Sequence, residues 1–180
     1  MGQGLRNIVS LVAFQIVWFA LAIGAANGSA WPGMALALGA VALHVATAIE
    51  RFRAGAMIVA CGLVGLAAET CLLHLGLVRY ASPGWSEGAP PAWLIMLWLA
   101  FATTLPALRS GLGDTYRAKA AALGAIFGPL SYAAAARIGT LTFSGPVWRG
   151  WLAVGLLWAI CLPVLLALTP KSGPPRAAVD

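Results

Sequence analysis

The chain has 180 residues, 61% of them hydrophobic and only 9% charged, with a mean hydropathy of +0.89. Soluble domains carry about 25% charged residues, and a chain this small cannot hide so much apolar surface in a core of its own. A water-soluble fold is excluded, as are a disordered chain, a collagen-like repeat and a disulfide scaffold, since Cys61, Cys71 and Cys161 all fall inside apolar runs.

A membrane-crossing helix needs about 20 mostly apolar residues. Taken in chain order, six segments meet or approach this requirement, at about residues 8–26, 33–49, 56–76, 92–108, 119–138 and 149–168. Short polar or Gly/Pro-rich connections separate them. The expected fold is therefore an all-α integral membrane protein with six transmembrane helices. It forms one membrane domain over residues 1–170, followed by a short disordered tail at 171–180. The first segment follows Arg6 and could be mistaken for a secretory signal, but its apolar run exceeds the usual 7–15 residues, so it is read as a span. Arg6 also stands where a myristoylation signal needs Ser or Thr.

Six crossings place both termini on one side. Arg6, Arg51, Arg53, Arg109, Arg117, Lys119, Lys171 and Arg176 share that side, whereas Arg79, Arg137 and Arg149 lie on the other. The positive-inside rule makes the first side cytoplasmic. Topology thus accounts for the net charge of +6 and the pI near 9.9, and no basic cluster interleaved with aromatics calls for a nucleic acid. Trp31, Trp85, Trp93, Trp148 and Trp151 lie in or beside the external connections, where indoles settle at headgroup level.

Polar side chains within a span need a partner or a task. Counting 1.5 Å per residue places His44, Glu69, Thr103 and Tyr132 at similar depths. Glu69 is the one acidic residue in a span. It either ties helices together by hydrogen bonds or serves as a proton donor, with His44 as its partner and Tyr132 as a hydrogen-bond donor. Gln15 and Trp18 share a face of the first span and either line a pocket or make a helix contact. In the fifth span Gly124 and Gly128 allow close helix approach, and Pro129 should kink or break the helix. Outside the spans, Arg79 and Tyr80 belong to an external loop that either anchors lipid headgroups or covers an outward-facing pocket. No His, Cys, Asp or Glu spacing forms a metal site, and the Gly111 to Gly113 stretch lacks the rest of a dinucleotide fingerprint, so no cofactor is expected.

The stretches at residues 14–19, 69–76, 91–105 and 124–132 together resemble the small bacterial inner-membrane family catalogued as domain of unknown function 2878, over about residues 8–168. The resemblance implies a multi-pass protein of the bacterial cytoplasmic membrane. Members of that family are often encoded near lipid-modifying enzymes, such as those similar to cyclopropane-fatty-acid synthases, which implies membrane-lipid metabolism. Glu69, Gly76, Tyr80, Pro91, Trp93 and Trp98 also resemble the pattern of membrane enzymes that protonate or hydrate isoprenoid double bonds, although the second acidic group common to such chemistry is missing here.

The resulting expectation is a protein that binds a membrane lipid or isoprenoid and can modify it. Its cavity would be built from Gln15, Trp18, His44, Glu69, Arg79, Tyr80, Trp98, Thr103 and Tyr132. A small transporter or flippase is one alternative. Another is a non-catalytic subunit that holds a soluble lipid-modifying enzyme through residues 109–119 and the tail.

Overall fold

The structure, a computed structural model, describes residues 2–169. The tail expected at 171–180, with Lys171 and Arg176, lies outside the described residues. Among the described residues, seven helices and two short strands follow one another as α1 (Gln3–Ala26), α2 (Trp31–Thr47), α3 (Arg51–His74), β1 (Val78–Tyr80), α4 (Ala92–Ala102), α5 (Leu105–Leu112), α6 (Tyr116–Ile138), β2 (Leu141–Phe143) and α7 (Val147–Leu168).

All six expected segments are helical, but helix length and composition alone do not make each of them a span. Four helices, α1, α3, α6 and α7, are long and apolar enough to cross a membrane, and a fifth crossing results if α4 and α5 form one bent span. The segment expected at 33–49 ends at Thr47, because Ala48 turns to extended backbone, and its 17 residues reach only about 25 Å. The fourth segment bends by 45° between α4 and α5. Thr103 and Thr104 cap carbonyls three residues back, each at 2.7 Å, and Pro106 has no N–H to continue the ladder.

Two loops join in an antiparallel ladder, an element that the hydropathy pattern does not show. Val78 faces Phe143, Arg79 faces Thr142 and Tyr80 faces Leu141. Each strand follows a helix that stops in the same way. Gly76 and Gly139 take positive φ (63° and 95°), and the next amides, of Leu77 and Thr140, reach back to Leu72 O and Ala135 O at 3.0 and 3.1 Å. The flanking bonds repeat too, from Ala81 N to Thr140 O and from Ser144 N to Leu77 O. Residues 69–81 and 132–144 are thus two copies of one helix-to-strand unit. Within them Glu69 and Tyr132 hold equivalent positions, seven residues before the glycine.

Small residues set the helix spacing. A Cβ on Gly124 would lie 2.2 Å from Trp158 O, and one on Gly128 would lie 2.7 Å from the Trp158 ring. Gly155 returns the contact, its own Cβ position being 3.2 Å from Ala125 O, the carbonyl that Pro129 leaves without a donor. The expected break at Pro129 does not occur, since α6 runs continuously through it, tight against α7. Trp31, Trp85, Trp148 and Trp151 are exposed, as an interfacial belt requires, and the Arg149 guanidinium lies 5.6 Å from the Trp148 ring. Trp93 departs from that expectation, being only 5% exposed and packed into the core.

Gly124→Ala should lower the thermal midpoint in detergent by the equivalent of about 1–3 kcal/mol, since the added methyl meets backbone and not a movable side chain. Gly55→Ala, in open space on α3, should leave the midpoint unchanged or raise it. Equal effects from both would contradict the packing described.

Candidate functional site

Three structural choices bring polar groups together on the inner face of α3. First, Gly65 lies one turn before Glu69, and a Cβ there would fall 2.2 Å from Trp98 Cγ. The absent side chain lets the Trp98 indole settle against α3 with its Nε1 2.9 Å from Glu69 Oε1. Second, α6 places the Tyr132 hydroxyl 2.6 Å from the same oxygen. Third, the ladder swings Tyr80 back over the end of α3, where its hydroxyl donates to Glu69 Oε2. The carboxyl group is 1% exposed, with all three partners supplied by side chains from β1, α4 and α6.

The chemistry of the donors limits the protonation states. An indole N–H can only donate, so Oε1 must accept from Trp98. An ionised Glu69 accepts from all three. A protonated Glu69 keeps all three contacts with its proton on Oε2 and Tyr80 turned to accept it. Both forms are therefore compatible with one geometry, as a group that takes up and gives back a proton requires.

This carboxyl lies in the wall of a cavity of about 670 Å³. Three helices contribute faces at helical spacing: Leu11, Phe14, Gln15, Trp18 and Phe19 from α1; Leu94, Leu97, Trp98 and Phe101 from α4; and Gly124, Phe127, Gly128, Ser131 and Tyr132 from α6. On the fourth side Trp158 of α7 stacks on Trp98, with centroids 4.7 Å apart and planes 13° from parallel. Phe101 meets Trp158 edge-on at 5.4 Å, and Phe14 meets Phe101 at 5.5 Å. A volume in this range suits one small-molecule ligand, and the aromatic walls suit an apolar one.

Of the residues singled out from the sequence, Gln15, Trp18, Glu69, Tyr80, Trp98 and Tyr132 all line the cavity. Three do not. His44 lies in the last turn of α2 and is not Glu69's partner, because the carboxyl's bonds go to two tyrosines and a tryptophan. Thr103 is held by Ala100 O at the α4–α5 bend, and its neighbour Thr104 lines the cavity instead. Arg79 points outward from the ladder and is exposed, leaving only Tyr80 of that pair at the site. Sequence reasoning passed over Phe14, Phe101, Phe127 and Trp158. Their signal was the repetition at three and four residues, which on an apolar helix cannot be told from ordinary packing. Among the described residues no three His, Cys, Asp or Glu side chains gather as a metal set.

Glu69→Gln can satisfy the same partners, with the amide oxygen accepting from Trp98 and Tyr132 and the NH₂ donating to Tyr80. It should fold and melt close to the native protein. Glu69→Leu orphans three buried donors and should lose about 1–3 kcal/mol for each left unpaired, seen as a sharply lower midpoint or loss of the monodisperse peak on size exclusion. Equal behaviour of the two variants would mean that the three bonds do not hold the fold.

A family model described as Protein of unknown function (DUF2878) matches residues 7–164, most of the chain. No curated protein and no solved structure shows a significant match.

Proposed function

The chain belongs to that family, whose description assigns no activity, and from the site itself we propose that it binds a membrane lipid or isoprenoid within the bilayer and modifies it by proton transfer at Glu69. The observation that carries this reading is a carboxyl group held by three side-chain donors in the wall of a mostly apolar, aromatic cavity. A carboxyl used only to join helices has no need of a cavity at its side. Here Glu69 gives its proton to one carbon of a double bond and, as the carboxylate, takes a proton from a carbon next to the resulting cation, so the double bond moves and the acid is restored; Tyr80 and Tyr132 orient it. The stacked Trp98 and Trp158 faces suit an unsaturated chain and the positive charge that builds when an alkene is protonated. The reading counts α2 and the bent α4–α5 pair as crossings, six in all, and so has both termini inside the cytoplasmic membrane of a bacterium.

The repeat of residues 69–81 at 132–144 favours a second reading, a small transporter or flippase, because transporters are often built from repeated units that hold the substrate between them. The third possibility, a subunit that holds a soluble lipid enzyme through residues 109–119, has less support. Two cations of that connection bind the connection itself: Arg109 lies 3.7 Å from the Tyr116 ring and donates to Gly113 O, and Lys119 donates to Leu112 O.

Lipid profiling separates these readings. A strain lacking the protein should miss a lipid species. Native protein should restore it, and Glu69→Gln, accumulating to the same level, should not. Full restoration by Glu69→Gln would end the proton-donor role, and a species present but confined to one leaflet would favour transport.

A further inference from the structure

The cavity is not equally closed on all sides. Toward α3 and α4 its wall is buried, with Glu69, Trp93, Leu94 and Trp98 all at 6% exposure or less. Toward α1 and α6 the lining residues are also surface residues: Phe19 is 48% exposed, Phe127 60% and Leu130 50%. Both helices read as membrane spans, so what lies outside them is hydrocarbon. The opening therefore leads sideways into the bilayer.

Gln15 lies on α1 at this opening. It lines the cavity, is exposed, and makes no hydrogen bond among the described residues. An amide facing hydrocarbon without a partner loses its bonds to water and gains nothing in return. An apolar side chain of similar size would suit a surface meant only to face lipid tails. The polar group therefore points to a polar visitor.

We infer that the ligand enters from the bilayer between α1 and α6, and that Gln15 binds an oxygen function, such as a hydroxyl, carried on its hydrocarbon chain. This rests on the proposed lipid-binding function and narrows its substrate class to oxygenated chains. Phe127 and Leu130 form the other side of the entrance. The aromatic walls from Phe14 to Trp158 receive the chain and bring it up to Glu69.

The test uses purified full-length protein and radiolabelled geranylgeraniol, a long isoprenoid alcohol, supplied in phosphatidylcholine vesicles, with the analogous hydrocarbon lacking the hydroxyl as control. Native protein should retain the alcohol more than the hydrocarbon. Gln15→Leu, which adds no bulk to a surface position, should cut alcohol retention about tenfold, the size of one hydrogen bond, and leave hydrocarbon retention unchanged. Leu130→Trp should slow loading from vesicles several-fold while changing final occupancy little. If native protein retains the alcohol but Gln15→Leu binds it equally well, the inference fails and the lipid-binding reading stands. If native protein retains neither compound, both fail. If Gln15→Leu breaks a dimer on chemical cross-linking and leaves retention intact, the amide is a contact between copies and the inference is overturned.

Discussion

The central constraint is the burial of one carboxyl group. Glu69 has almost no exposed surface, yet its helix is one of those able to cross a membrane, so every lone pair it keeps must be answered by protein. Several otherwise separate features follow from this. Gly65 makes room for the Trp98 indole. Gly124, Gly128 and Gly155 let α6 and α7 close up so that Tyr132 arrives from one side. The strand pair at the end of the bundle bends the chain after α3 back on itself and delivers Tyr80 from the other. Without the ladder, Oε2 would lack its partner, and without Gly65, Oε1 would lose one of two.

The two-copy relation between residues 69–81 and 132–144 gives this arrangement its geometry. The antiparallel pairing is centred on Arg79 and Thr142, which hold equivalent positions in the two copies, so the strands are related by a local two-fold. Glu69 and Tyr132 are such equivalents, and the bond between them is 2.6 Å. The symmetry is broken at this pair of positions: one copy supplies the acid and the other a phenol. It is broken again after the strands. The connection from β1 to α4 spans residues 81–91 and the one from β2 to α7 only 144–146, so Trp93 turns inward while its counterpart Trp148 stays at the surface.

Much of this was legible in the sequence, and the exceptions have physical causes. Apolar runs find membrane helices because the bilayer imposes length and composition together, and a lone acid inside such a run stands out, so α1, α3, α6, α7 and Glu69 could all be read directly. Depth counting misled for His44 because equal height along a span does not bring two side chains together: the carboxyl's bonds go to Tyr80, Trp98 and Tyr132. The three-residue strands were invisible to periodicity. Their sign was instead the recurrence of glycine, an aliphatic residue at the second position after it and an aromatic at the fourth, at residues 76–80 and 139–143. The cavity walls were hidden for a different reason. In a membrane protein an apolar face can meet lipid, another helix or a bound chain, and the same side chains serve all three.

The claim that the bound lipid and Glu69 share one site is tested most directly by infrared difference spectroscopy of the purified protein, before and after loading with geranylgeraniol, with Glu69→Gln identifying the carboxyl band. A ligand brought against the Tyr80, Tyr132 and Trp98 cluster must alter the hydrogen bonds that Glu69 receives, so its band should shift on loading, and Glu69→Gln should show no such change. Stoichiometric binding of the alcohol with the Glu69 band unmoved would contradict the account.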